Sequence, residues 1–174
     1  MSKNSETITT LHNLLDYDAS NFFAAEIQLK KILPEWISLA SSVKLKMVLE
    51  KYQELVEQHI KKLESFVTEE KINSLTLGNR IMHAFVEEAR HKSETCADAA
   101  VRDACLLACV QGINHFKIST YGTAAAFAKV LEMEQHAAAF HEAEINEKKI
   151  DDRLSQLAEF EININAKTPI SISN

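Results

Sequence analysis

The chain has 174 residues, with 19 basic side chains against 25 acidic ones and a net charge of −6, which is the length of one ordinary domain. It has only three glycines and two prolines, where average composition would supply roughly 20 of the two together, so turn-rich all-β folds and glycine-built phosphate loops lack their raw material. The acidic balance argues against nucleic acid as a partner, no window of 18 apolar residues offers a membrane span, and the opening MSKNSETITT lacks the apolar stretch of a signal peptide.

The expected structure is therefore all-α. A first helix is predicted over 6–40, bent at Pro34, where a backbone donor is missing. Ser41 and Ser42 punctuate, and one of them can cap a second helix over 43–69. The segment 71–79, with Asn73, Ser74, Gly78 and Asn79, reads as a loop. A shorter helix follows over 80–92. Asp98 caps a long helix over 99–131, and a last helix runs over 134–161. Residues 1–161 form one predicted bundle, and 162–174 a frayed tail. Four long helices with a short helix in the connection between the second and third make a four-helix bundle with one long crossover, the ferritin-like connectivity. An up-down bundle with an inserted helix is the alternative.

Helical periodicity places ionisable groups on apolar stripes. In helix one, Glu26 falls within the stripe of Leu11, Leu15, Phe22, Leu29, Leu33 and Trp36. In helix two, His59 sits near the centre of the stripe of Val48, Tyr52, Leu55, Val56, Leu63 and Phe66, while Glu54 and Glu57 point to solvent. In the last helix Glu147 lies on the stripe of Phe140, Ala143, Ile150, Leu154 and Leu157, with Asp151 at its edge one turn later. The third long helix is apolar nearly all round, so its inward face is not fixed by pattern; Asn114 and His115 are its polar candidates. The lysines at 44, 46, 51, 61 and 62 alternate with Glu50, Glu54, Glu57 and Glu64 and form a solvated face. The AAAF segments at 124–127 and 137–140 favour close helix packing.

A buried carboxylate must be paired or bound. Glu26, His59, Glu147 and Asp151 are thus the candidate metal ligands, and their oxygen and nitrogen donors suit iron or manganese. The competing expectations need no metal: His59 as a hydrogen-bonded core histidine, Glu26 paired with a lysine or arginine on a neighbouring helix, and Glu147 with Asp151 as a solvated edge of the stripe. Without a cationic partner, Glu26 and Glu147 would titrate high, because desolvation favours the neutral form. A complete carboxylate di-metal site needs a Glu on each of two helices and Glu-x-x-His on each of the other two. His59 lacks that companion: Val56 stands three residues before it, and Ile150 stands three after Glu147. Cys96, Cys105 and Cys109 form no disulfide framework. They read as small buried residues in a reducing compartment, since a Cys105–Cys109 bridge within one helix would strain the backbone.

The stretches AAEIQLKKILPE (24–35), VEEAR (86–90), VRDACLLACVQGINHFKISTYGT (101–123) and EKKIDDRLSQLA (147–158) resemble, in order and spacing, the YciE/YciF group of bacterial ferritin-like proteins, which is associated with stress responses. The resemblance runs from about residue 11 to 158, and 101–123 is its most specific part. It implies a ferritin-like bundle, usually dimeric, with a di-iron-type centre. It places Glu26, Glu147 and Asp151 at the family's acidic positions and His59 where the family has Gln or His, and His115 is also kept. Leu55, Asn114 and Lys117 stand where the family usually has Glu. A lysine facing inward at 117 would repel a metal. The expectation drawn from residues and resemblance together is a cytoplasmic, homodimeric, stress-associated protein. It has a degenerate centre without a cofactor and works as a structural or interaction module rather than an enzyme, with no nucleic-acid or membrane partner. An iron- or manganese-binding protein with a reduced site, handling iron, oxygen or peroxide, is the alternative.

Overall fold

The computed structural model describes residues 7–72 and 75–167. Helix α1 spans Leu11–Leu39, α2 Val43–Glu69, α3 Arg80–Thr95, α4 Ala99–Val130 and α5 Glu134–Leu157. A π-helical turn over Ala158–Ile162 leads into the short α6, Asn163–Ala166.

The ends follow local chemistry. Helix α1 starts at Leu11, and residues 7–10 of the expected first turn are not helical, because the Thr10 side chain caps the helix by accepting the Asn13 N–H at 3.0 Å; Glu6 lies outside the described residues. Pro34 sits inside α1 without ending it. Ser42 caps α2 by accepting the Leu45 N–H at 3.2 Å. Asp98 caps α4 by accepting from the N–H groups of Ala100 and Val101. Asn79 caps α3 by accepting the Met82 N–H at 2.9 Å, and its own N–H donates to Gln28 Oε1 of α1 at 2.8 Å. Helices α2 and α4 both end in a non-glycine residue with positive φ, Lys71 at 54° and Glu132 at 59°. In each case the following N–H reaches back into the last turn, Ile72 to the Val67 carbonyl and Met133 to the Ala128 carbonyl, the Schellman closure usually made with glycine.

Pairs across the bundle fix the helix directions. His12 near the start of α1 contacts Glu70 at the end of α2. Phe22 packs against Tyr121, while the N–H groups of Ser41 and Ser42 donate to Asp103 at 2.8 and 2.7 Å. Helix α1 is thus antiparallel to both α2 and α4. Lys44 with Glu161 at one end, and Lys62 with Glu142 toward the other, make α2 antiparallel to α5. Helices α2 and α4 therefore run the same way, and the connection between them carries the chain back along the bundle, with α3 packed on α4 and α1. This is the expected single-crossover arrangement. Helices α4 and α5 make the most extensive helix pairing, as the alanine-rich AAAF segments allow.

The core runs the length of the four long helices, through Leu15, Leu29, Trp36, Leu49, Tyr52, Phe66, Val110, Phe140 and Leu154. The last helix stops at Leu157, short of residue 161, because the wider π turn buries Ile162 and lets Glu161 reach Lys44. Beyond Ile162 the chain forms α6, and 168–174 lie outside the described residues.

Candidate functional site

Halfway along the bundle, four ionisable side chains from four helices meet with no exposure to solvent: Glu26 of α1, His59 of α2, Lys117 of α4 and Glu147 of α5. The Lys117 Nζ lies 2.6 Å from Glu147 Oε1 and 3.1 Å from Glu26 Oε2, so one ammonium joins both carboxylates. His59 Nδ1 lies 3.2 Å from Glu147 Oε1 and 3.7 Å from Glu26 Oε1. The remaining oxygens are also met. Tyr121 donates its hydroxyl to Glu26 Oε1 at 2.7 Å, and Tyr52 donates to Glu147 Oε2 at 2.9 Å. Asn114 donates its amide to the same Glu147 oxygen at 2.7 Å and to the Glu147 backbone carbonyl at 3.0 Å. Lys117 Nζ also stands 4.6 Å from the centre of the Tyr52 ring, within reach of a cation–π attraction.

Each group sits there for a reason visible in its helix. Glu26 is one turn beyond Phe22 on the buried face of α1, and Glu147 is one turn before Ile150 on that of α5. On α4, Val110, Asn114, Lys117 and Tyr121 recur at intervals of four and three, so they form one buried seam.

The electrostatics follow from burial and pairing. For Glu147, burial alone would raise the carboxyl's pKa. The Lys117 charge and then His59 outweigh it and hold the group below the usual carboxylate range. For His59, burial alone would lower the imidazole's pKa. Its contacts with Glu147 and Glu26 outweigh that and leave it above the ordinary histidine value. Burial, reinforced by the neighbouring carboxylates, holds the hydroxyls of Tyr52 and Tyr121 well above the ordinary tyrosine range. With His59 protonated, Lys117 and His59 balance Glu26 and Glu147 charge for charge.

The expected ligand set divides. Glu26, His59 and Glu147 come together, each offering a ligand atom within 4.8 Å of the others. Asp151 does not join them: it faces the rim, half-buried, with Oδ1 2.9 Å from His115 Nε2 and 3.4 Å from Gln111 Nε2. His115 is exposed on α4 and takes no part in the centre. Asn114 points inward as a donor to Glu147. Lys117 does face inward, but as a partner of the two carboxylates, which its ammonium contacts. For the same reason the high titration expected of Glu147 turns into a lowered one, since the cationic partner that expectation excluded is there.

The residues present do not suit the two-metal centre that the resemblance to ferritin-like proteins implies. Metal–oxygen bonds of about 2.0–2.2 Å would place an ion between Glu26 and Glu147, where the Lys117 ammonium lies. Leu55, Asn114 and Lys117 bring no carboxylate to it. With His59 protonated, the four charges of the cluster sum to zero.

Sequence reasoning expected a lysine or arginine partner for Glu26 without identifying it as Lys117, which pairs with Glu26 at 3.1 Å, and it missed the Tyr52 and Tyr121 hydroxyls. Tyr52 reads as an apolar stripe residue, and α4 is apolar nearly all round, so Lys117 has no contrasting face to reveal its direction. The four-and-three spacing from Val110 to Tyr121 was the one available signal.

Comparison with known proteins agrees with this architecture. The protein YciF of Escherichia coli (strain K12) is 28% identical over 159 residues, covering 91% of this chain and 96% of that one. The crystal structure of the E. coli stress protein YciF matches with a TM-score of 0.82 at 28% identity, covering 92% of this chain and 100% of that chain. YcfI of Rhodopseudomonas palustris, for which a structural role has been proposed, matches with a TM-score of 0.80 at 26% identity, covering 88% of this chain and 98% of that one. The family model described as a domain of unknown function, DUF892, matches residues 10–167, and the chain belongs to that family.

Proposed function

We propose that this chain is a stress-associated, ferritin-like module whose centre works without metal. The Lys117 ammonium supplies the positive charge that ions would supply in a di-iron-type site. The protein then acts through its surface, as a structural or interaction component, in the cytoplasm and as a homodimer. The observation that carries this reading is the contact of Lys117 Nζ with both Glu147 and Glu26. The apolar side chains exposed near the α2 start and the π turn, Val43, Met47 and Phe160, supply surface for self-association. The test is elemental analysis of protein expressed with iron and manganese supplied. Sub-stoichiometric metal is expected, and one tightly held ion per chain would overturn the reading.

One observation favours a second reading. The ligand atoms of Glu26, His59 and Glu147 lie within 4.8 Å of one another, close enough for a single iron or manganese ion if Lys117 withdrew. That version predicts one ion per chain in the same measurement, and loss of that ion in Glu147→Ala.

A further inference from the structure

A second cluster of ligating side chains lies at the end of the bundle where α1 begins and α2 ends. His12 and Asp16 stand one turn apart on α1 and share a face. Glu70, the C-cap residue of α2, comes to them because the two helices are antiparallel. Its backbone is held by its N–H bond to the Phe66 carbonyl at 2.9 Å and by the left-handed Lys71 that follows. His12 Nε2 lies 2.8 Å from Glu70 Oε2 and 3.7 Å from Asp16 Oδ1. One ligand atom from each of the three side chains falls within 4.8 Å of the others. Glu26 is about 21 Å further along α1, so this cluster is separate from the centre. No cysteine takes part: Cys96, Cys105 and Cys109 are free and half-buried rather than buried as expected from sequence.

Hydrogen bonding leaves the cluster unfinished. Asp16 Oδ1 is shielded from water yet has no hydrogen-bond partner among the described residues, because 3.7 Å to His12 is too long for one. Neither Asp16 nor Glu70 pairs with a lysine or arginine among the described residues; the partner of both is His12. Burial raises the Asp16 carboxyl above its usual range, His12 opposes that, and Glu70 adds to it. Two carboxylates thus share one imidazole and want further positive charge. The distances suit a metal ion. Bonds of about 2.0–2.2 Å in a tetrahedron put neighbouring ligand atoms about 3.4 Å apart, and the two His12 separations fall on either side of that value. One imidazole nitrogen with two carboxylate oxygens, two of the three ligands at i and i+4 on a helix, is a donor set for zinc and its first-row neighbours rather than for calcium or magnesium.

We propose that His12, Asp16 and Glu70 form a surface site for a single divalent transition-metal ion, with zinc as the probe, which clamps the start of α1 to the end of α2. The ion takes the place of the proton between His12 Nε2 and Glu70, gives Asp16 Oδ1 the partner it lacks, and leaves a fourth position for water. The His12 side chain is 48% exposed, so the ion exchanges with solvent and a chelator removes it.

The test titrates the full-length protein, treated with chelator and desalted, with zinc chloride by calorimetry. A single zinc per chain is expected, with an upward shift of the thermal midpoint. His12→Ala, at an exposed side chain, should weaken binding about tenfold or more, since even residues that only orient a metal ligand cost about 10–100-fold when lost. Glu70→Gln should act in the same direction. His83→Ala removes another exposed histidine beside a carboxylate, Glu87, and should leave the affinity unchanged. Anomalous diffraction at the zinc edge should place the ion between His12, Asp16 and Glu70. No saturable zinc binding, an affinity unchanged in His12→Ala, or an anomalous peak elsewhere would each overturn the proposal. A peak between Glu26 and Glu147 would overturn the metal-free reading of the centre as well, whereas a failure to bind zinc at all leaves that reading intact.

Discussion

Lys117 on α4 and Glu147 on α5 meet at 2.6 Å with both side chains fully removed from water. A buried ion pair of this kind gives little net stabilisation over an apolar pair, but removing one partner leaves an uncompensated charge. Here the lysine serves two carboxylates, so its loss would strand both. Lys117→Met is predicted to destabilise the fold by about 3–5 kcal/mol, measured by guanidinium unfolding of the full chain. Adding Glu147→Gln to that variant should restore part of the loss, because one stranded charge is gone. A neutral effect of Lys117→Met would mean that the ammonium is not the compensating group.

The hydroxyl donors carry a smaller share. Tyr121→Phe removes the 2.7 Å hydrogen bond to Glu26, and Tyr52→Phe the 2.9 Å bond to Glu147. Each is expected to cost about 1.5–3 kcal/mol, the range for hydrogen bonds to charged groups. Tyr52→Phe should fall at the lower end, because Asn114 still donates to the same oxygen. Denaturant midpoints of the two variants compare the two directly.

Stability should peak between acidic and alkaline limits set by the cluster. Glu147 has a lowered folded-state pKa, so its contribution is present above the unfolded value and is lost as pH falls through the folded one. His59 has a raised folded-state pKa. Its contribution is complete below the unfolded value, about 6.5, and is lost as pH rises through the folded one. Tyr52 and Tyr121 are raised well above about 10, so further stability is lost above that pH as unfolding lets them ionise. Thermal melts across pH should show the neutral-to-alkaline decline in the wild type. The His59 part of it should vanish in His59→Gln.

The left-handed helix ends make a separate prediction. Lys71 and Glu132 adopt positive φ where glycine is the usual residue, at a cost of roughly 1–2 kcal/mol for a side chain with a β-carbon. Lys71→Gly and Glu132→Gly should each stabilise the protein by about 0.5–1 kcal/mol, the relief being partly offset by a more flexible unfolded chain. Both side chains are exposed, so no packing is lost, and thermal midpoints would show the gain.

The all-helical bundle was legible because the apolar stripes of α1, α2 and α5 are flanked by charged faces. Glu26, His59 and Glu147 stood out against them. Asp151 was misplaced because a stripe edge fixes direction only to within a fraction of a turn, and its partners, His115 and Gln111, belong to another helix. Lys117 was legible as a departure from the resembling family but not as a partner, since a uniformly apolar helix hides which way it faces. Asp103, which holds the turn between α1 and α2 by accepting from Ser41 and Ser42, was invisible for a related reason. A side chain that satisfies a distant backbone carries no periodic signal.

Anomalous diffraction from crystals of the wild-type protein soaked with manganese(II) examines the centre most directly. The account predicts no anomalous peak between Glu26 and Glu147, with density there belonging to the Lys117 side chain in contact with both carboxylates. A strong peak at that point, ligated by Glu26, His59 and Glu147 with Lys117 turned away, would contradict it.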